Sequence, residues 1–300
     1  MKRIAALLVC LSGLSSLPAH AYPANWEGAQ KPFVLYGSTY YVGTQGLSSV
    51  LITSPAGHIL IDGATPKAAP QIAAHIRELG FKLEDIRYIL TSHEHFDHVG
   101  GVAELQRLTG ATVLTSPAAK SVLESGKVDK GDPQHSDLAD MDMPPVANVK
   151  TVRDGETVEL GPLSVKANYT PGHTQGGISW TWSAFEKGRA MNMVYADSLN
   201  AMAAPPFRYS GNTVYPNAKA DVERSIARVA ALPCDILVTA HPDASDLLER
   251  QAKQKQLGNA AFVSPDACHA YAAAGRQRLA RTLADEAKRG EQGRRPGPET

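Results

Sequence analysis

The chain has 300 residues, 43% hydrophobic and 20% charged, with Lys+Arg 30 against Asp+Glu 30 and a formal net charge of zero. That composition builds a sizeable core and excludes wholesale disorder or a collagen-like fibre. No basic excess is available to neutralise phosphates, so no nucleic-acid partner is expected, and three cysteines are too few for a disulfide scaffold.

The first residues read as an export signal. Lys2 and Arg3 precede a mostly apolar run from Ile4 to Leu14, and Ala19-His20-Ala21 offers the small-x-small pattern of signal peptidase. The run is too short for a stable membrane span. The expectation is a signal peptide over residues 1–21, cleaved after Ala21, and a periplasmic mature chain; a buried N-terminal helix is the alternative. Loss of Lys2 and Arg3 leaves 279 residues with a formal charge of −2. No other apolar run reaches membrane length, so the mature form is expected to be free of the membrane. Cys10 leaves with the leader. Cys234 and Cys268, in an oxidising compartment, are most simply one disulfide, with two buried free thiols as the alternative.

After a coil over 22–32, short apolar runs at 33–36, 39–42, 49–53 and 58–62, punctuated by Gly, Pro and Ser, predict strands. Ile72, Ile76 and Leu79 fall at helical spacing and predict a helix over 64–80 ended by Gly80, with Pro70 leaving its first turn open. A strand at 86–91, a helix at 102–110 and a strand at 112–115 follow. Residues 125–145 carry Gly, Asp, Pro and Met without periodicity and read as a long loop near a site. The second half predicts strands at 149–152, 157–160, 163–168, 178–182, 191–196 and 236–239, and helices at 218–231, 246–255 and 264–288. The charged, Gly- and Pro-rich segment 290–300 reads as a disordered tail. Two similar β-α rhythms without a linker predict one α/β domain over 22–289 with a layered α/β/β/α core.

The chemistry concentrates at residues 91–98, Thr-Ser-His-Glu-His-Phe-Asp-His, directly after an apolar strand. In an extended segment His93 and His95 project to the same side, and a following turn folds Asp97 and His98 back towards them. Imidazole and carboxylate are good zinc ligands, at about 2.0–2.2 Å. His173, after the strand at 163–168, and His241, after the strand at 236–239, sit where strand ends converge on one sheet edge. The remaining histidines of the mature chain, His58, His75, His135 and His269, lack this context and read as structural.

This set, His93, His95, Asp97, His98, His173 and His241, resembles the metal motifs of the metallo-β-lactamase superfamily. Residues 59–63, Ile-Leu-Ile-Asp-Gly, are similar to the superfamily's early strand-Asp-Gly turn. Residues 195–199 (Tyr-Ala-Asp-Ser-Leu) and 232–235 (Leu-Pro-Cys-Asp), with the pair Cys234 and Cys268, resemble subclass B3, and within it the Adelaide imipenemase group. The resemblance runs from about Trp26 to Arg281. It implies an αββα sandwich with two zinc ions at the strand ends, the first held by His93, His95 and His173 and the second by Asp97, His98 and His241. Ser198 stands where another subclass has a cysteine ligand, which excludes a thiolate second site.

The resemblance further implies a monomeric β-lactamase acting on β-lactam antibiotics, carbapenems among them. Zinc lowers the pKa of bound water to about 7, so hydroxide can attack the lactam carbonyl at neutral pH without a Ser or Cys nucleophile. Asp97 orients that hydroxide as well as binding metal. Ser198 and Asn200 are candidates for the substrate carboxylate, although the family often has Ser or Thr where Asn200 stands, and Gln134 lines the pocket or lies exposed in its loop. Asp62 is a candidate acceptor for a ligand imidazole or a brace for the turn at Gly63. A thioester hydrolase or lactonase resembling glyoxalase II is the alternative enzyme, with Asp197 as the residue that separates the two. A non-catalytic zinc protein is disfavoured, because six ligands divided three and three leave open positions.

Overall fold

A computed structural model describes residues 22–141 and 143–292. The expected leader, residues 1–21, and residues 293–300 of the expected tail lie outside the described residues.

Twelve strands among the described residues form two sheets. The first takes β1 (Phe33–Tyr36), β2 (Thr39–Tyr41), β3 (Val50–Ser54), β4 (Gly57–Ile61), β5 (Ile86–Leu90), β6 (Thr112–Thr115) and β7 (Val149–Thr151) in chain order. Its strands are antiparallel from β1 to β4 and parallel from β4 to β7. The second holds β8 (Thr157–Leu160), β9 (Leu163–Tyr169), β10 (Ile178–Glu186), β11 (Arg189–Ala196) and β12 (Ile236–Thr239), ordered β12-β11-β10-β9-β8. There β8 to β11 alternate in direction and β12 runs parallel to β11.

The helices of the first half are α1 (Ala69–Glu78), α2 (Phe96–Val99), α3 (Val102–Thr109), α4 (Pro117–Ser125) and α5 (His135–Leu138). Those of the second are α6 (Ala218–Ala230), α7 (Leu247–Ala252), α8 (Gln254–Leu257) and α9 (Ala267–Gln292).

Side chains of a strand alternate between faces, so a strand covered on both sides must be apolar throughout. Ile59 and Ile61 point between the sheets and meet Trp180, Met193 and Tyr195 of the other sheet. Leu60 points outward into a cluster with Ile72 and Ile76 of α1, Leu105 of α3 and Val122 of α4. On the opposite outer face Val194 and Leu237 pack with Val222 and Ile226 of α6 and with Tyr271 and Leu279 of α9. Three apolar layers thus lie between four layers of backbone, which is the expected αββα sandwich.

Several boundaries moved for local reasons. Ala64 has φ +54°, and the first helix starts only at Ala69 with Pro70 in its first turn. Asp246 sits in the left-handed region, so α7 begins after it, and a separate turn, α8, follows. The predicted strands at 178–182 and 191–196 extend to a two-residue hairpin at Lys187 and Gly188, both with positive φ, the geometry that matches strand twist. The residues between are partly exposed, which hid them from an apolar pattern. Helix α4 went unpredicted, and α5 interrupts the predicted loop at 125–145.

Parallel runs set the site. β4 and β5 point the same way, as do β9, β11 and β12, and each is followed at its carboxyl end by one of Asp62, His93, His173, Asp197 or His241. Crevices at the carboxyl ends of parallel strands are where α/β sheets place ligands.

Candidate metal centre

β5 ends at Leu90, and residues 91–95 cross the sheet edge before α2 starts at Phe96. That short helix carries Asp97 and His98 back over the strand end, as predicted. The donor atoms of His93, His95 and His173 lie within 4.8 Å of one another, and all three residues are buried. Their ring centroids are 4.8–4.9 Å apart in all three pairings, each edge to face.

The second trio is tighter. His98 Nε2 lies 3.1 Å from Asp97 Oδ2 and 3.2 Å from His241 Nε2, and His241 Nε2 lies 3.3 Å from Asp97 Oδ2. Donors at zinc-ligand distance around one tetrahedral ion stand about 3.3 Å apart. His93 also falls within 4.8 Å of Asp97 and His98, so the two trios adjoin.

Four of the five imidazoles are oriented from behind. His173 Nδ1 donates to the Asn200 carbonyl at 2.8 Å, and His241 Nδ1 to the Gly46 carbonyl at 3.3 Å, which turns both Nε2 atoms to the centre. His95 reverses the pattern: its Nε2 meets Asp132 Oδ2 at 2.9 Å, and Nδ1 faces the centre. His93 Nδ1 lies 2.9 Å from Asp197 Oδ1, and its buried Nε2 has no hydrogen-bond partner. A buried nitrogen left without a partner, among other imidazole nitrogens, is what a metal ligand looks like without its ion.

The field supports this. Burial, then repulsion from His95, holds His173 down to about 3, so its imidazole is neutral. Burial and His98 likewise hold His93 well below the ordinary value. Burial opposes ionisation of Asp97, but His98 and His241 outweigh it and keep the carboxylate well below its usual range. At His95 burial is outweighed by Asp132, which lifts the imidazole to about 9.

Asp62 proves to be a brace. Its carboxylate accepts from Ser92 N and Ser92 Oγ, both at 2.6 Å, and from Tyr195 Oη at 2.8 Å, while His98 Nδ1 stays 3.7 Å away. Ser198 is buried directly after Asp197. Asn200 meets His173 through its backbone, and Gln134 donates its backbone N–H to Asp132 Oδ1 at 2.7 Å. His58, His75 and His135 join neither trio; His75 bonds the Val42 carbonyl and His58 packs edge-on against Phe81.

Two residues of the site escaped the sequence. Asp132 lay in the loop suspected of lining a site, without a pattern of its own. Glu94, inside the main motif, accepts from Thr174 Oγ1 at 2.8 Å and Gly176 N at 3.1 Å and ties that motif to the His173 loop. Burial, then Asp132, pushes Glu94 up to about 7. The centre opens on the side of His241, 30% exposed, and Asp97, 12% exposed, where Trp26 lies 5.7 Å from the His241 ring.

The sequence pattern of the Metallo-beta-lactamase superfamily matches residues 42–184. A subclass B3 metallo-β-lactamase from a soil metagenome library, MEM-A1, is 63% identical with a TM-score of 0.87, over 88% of this chain and 99% of that one. The Rm3 metallo-β-lactamase is 50% identical with a TM-score of 0.86, over 88% and 97%. MIM-1 from Novosphingobium pentaromativorans is 44% identical with a TM-score of 0.80, over 88% and 93%. A hydroxyacylglutathione hydrolase of Rhodopseudomonas palustris strain BisB5 is 35% identical over 148 residues, 47% of each chain, so that this chain spans about half the length of that relative. Six donors in two adjoining trios and a likeness that runs almost end to end lead to one assignment: the chain belongs to the metallo-β-lactamase superfamily of hydrolases, beside the solved subclass B3 enzymes.

Proposed function

We propose that the chain is an exported, monomeric, zinc-dependent β-lactamase that hydrolyses the lactam amide bond of β-lactam antibiotics, carbapenems included. The observation that carries this is the pair of trios, His93/His95/His173 and Asp97/His98/His241, at one sheet edge of a chain 63% identical to a subclass B3 enzyme. The finer likeness to the Adelaide imipenemase group rests on the segments at 195–199 and 232–235. Export and a periplasmic location rest on the N-terminal pattern; no described helix is long and apolar enough to cross a membrane.

The donor set fits zinc: nitrogen and carboxylate donors in threes, each trio one short of a closed tetrahedron. Two zinc ions there supply water activation at neutral pH and polarisation of the lactam carbonyl. The residues do the rest. His93 and His173, held neutral by burial, would bind at the inner position together with His95, which gives up its proton on binding the metal. Asp97 stays ionised beside His98 and His241, would hold a metal with them, and would accept a hydrogen bond from the attacking water. Ser198 and Asn200 face the substrate carboxylate in this reading, and Gln134 borders the pocket.

A glyoxalase II-like thioester hydrolase is the second reading, favoured by the hydroxyacylglutathione hydrolases among the relatives. It calls for a carboxylate near position 197 to bridge the two metals. Asp197 instead backs His93 from the side away from the donors, which supports the lactamase.

The test is hydrolysis of a carbapenem by the purified mature protein, followed by loss of lactam absorbance with and without a chelator. Chelator-sensitive turnover is expected. Folded, zinc-loaded protein that opens no β-lactam but cleaves a glutathione thioester would transfer the assignment to the second reading.

A further inference from the structure

We propose that the C-terminal helix is a positioning element for the metal centre: one polar face of α9 grips the main chain of residues 197–210 and through it sets the imidazoles of His93, His95 and His173. The inference rests on the reading of these residues as metal ligands.

The face consists of Tyr271, Gly275, Arg278, Thr282 and Glu286, spaced four, three, four and four residues apart, which is one side of a helix. Every side chain on it with a polar group bonds to backbone of the same loop. Tyr271 Oη donates to the Asp197 carbonyl at 2.9 Å and accepts from Leu199 N at 3.0 Å. Arg278 Nε donates to the Leu199 carbonyl at 3.2 Å, and Thr282 Oγ1 to the Ala201 carbonyl at 2.8 Å. Glu286, whose carboxyl group is buried, accepts from Tyr209 N at 2.7 Å and Ser210 N at 2.8 Å. Gly275 allows the close approach: a Cβ there would stand 3.1 Å from Leu199 Cβ and 3.3 Å from its carbonyl oxygen.

The gripped peptides are those that orient the inner trio. Asp197, held through its carbonyl, backs His93. Asn200, between the held carbonyls of Leu199 and Ala201, accepts from His173. Tyr209, held through its amide, sends its hydroxyl to the Gly172 carbonyl at 2.9 Å, one residue from His173. The same loop stitches the Asp132 segment that orients His95, through Ala204 N to the Pro133 carbonyl at 2.8 Å and Ser136 Oγ to the Pro205 carbonyl at 2.7 Å. The outer trio draws its hydrogen bonds elsewhere: Asp97 and His98 ride on α2, and His241 leans on Gly46, while α9 meets β12 and the turn Pro242–Ser245 beside His241 with no hydrogen bond from its polar face among the described residues. Loss of a partner one step behind a ligand costs roughly 10–100-fold in metal affinity, and these residues act one step further out.

The helix face therefore governs the inner site and leaves the outer one alone. The test measures zinc affinity by competition with a chromophoric chelator in two backgrounds of the mature protein. His241→Ala leaves the inner trio complete, and His173→Ala leaves the outer one complete. Glu286→Gln is expected to weaken zinc binding about tenfold in the first background and less than twofold in the second, with unchanged far-UV circular dichroism. Thr282→Val, which deletes one hydrogen bond and little volume, is expected to give a smaller loss with the same selectivity, and it serves if Glu286→Gln does not fold. Equal losses in both backgrounds would reduce α9 to a general stabiliser and overturn the proposal, as would wild-type affinity in the first background. No substrate enters the measurement, so absence of lactam turnover would sink the lactamase reading without touching this result; absence of zinc binding by the unmodified protein would sink both.

Discussion

Asp97 is the residue on which most converges, because it closes the outer trio and stays ionised between His98 and His241. In the proposed reading Asp97→Ala would remove a zinc donor and the acceptor for the attacking water together. A fall in kcat/KM of about 10³-fold or more is expected, with a native circular dichroism spectrum; activity near that of the unmodified enzyme would refute the role. Asp62 makes a different contribution. Asp62→Ala strands Ser92 N in the core and leaves Ser92 Oγ only His93 Nδ1, at 3.3 Å, and Tyr195 Oη only the Ser48 carbonyl, at 3.1 Å, and at about 1–3 kcal/mol for an unpaired buried group the cost is on the order of 2 kcal/mol. A thermal melt reads it directly. Asp154 offers a pH test away from the metals. Burial opposes its ionisation, but Arg228, 2.8 Å away, and Tyr169 N outweigh this and lower its pKa. A depressed folded pKa gives stability that is present above the unfolded value and lost as pH falls through the folded one. The gap in melting temperature between the unmodified chain and Asp154→Asn should therefore be small and positive at pH 7, since the pair is largely exposed, and should close towards pH 2.

Among the elements, α4 shows how a helix can be legible and still pass unread. Ser116 caps it by accepting from Ala119 N at 3.2 Å, Pro117 opens it, and Gly126 closes it at φ +70°. All three signals are local. The apolar pattern hides them, because the helix exposes more than half of its nine residues and follows a strand without a loop. The same Ser116 hydroxyl donates to the Gly176 carbonyl at 2.9 Å, so the cap also ties α4 to the His173 loop. Ser116→Ala should cost about 1 kcal/mol for the cap and lower the melting temperature by about 2–4 °C; no shift in a melt would show that the cap contributes nothing. Strands covered on both faces are easier to read, because β4 and β12 carry the apolar runs Ile59-Leu60-Ile61 and Ile236-Leu237-Val238.

On the scale of the whole molecule, two cross-links act on one fold. The disulfide joins Cys234, ahead of β12, to Cys268, at the start of α9, across 34 residues of sequence. Closing a loop of that size is worth about 3–4 kcal/mol in the chain-entropy account, and replacing both cysteines by serine should lower the melting temperature far more than it changes zinc stoichiometry; an unchanged melt would argue that the bridge contributes nothing to stability. In the proposed reading zinc would be the other cross-link, joining side chains from α2 and from the carboxyl ends of β5, β9 and β12. A chelator should both abolish turnover and lower the melting temperature, because a ligand bound only by the folded state stabilises it by mass action. Restoration of both by zinc alone is the expected control.

What the residues determined unaided is the chemistry and the layering. Donors packed into six positions at 93–98, and histidines placed just after apolar strands, are short-range facts of the chain, and the runs around Leu60 and Leu237 announce sheets covered on both faces. The packing of the two sheets decided the rest. Asp132, Asp197 and Glu94 became supports for His95, His93 and the His173 loop only when segments 37 to 104 residues apart met at one edge. A single carboxylate in a loop carries no periodicity and no motif, so its partner is invisible until the backbone brings it within hydrogen-bond reach. The polar face of α9 is the same case at a larger scale: its spacing is written in the sequence, but the peptides it holds, and hence its purpose, exist only in the folded molecule.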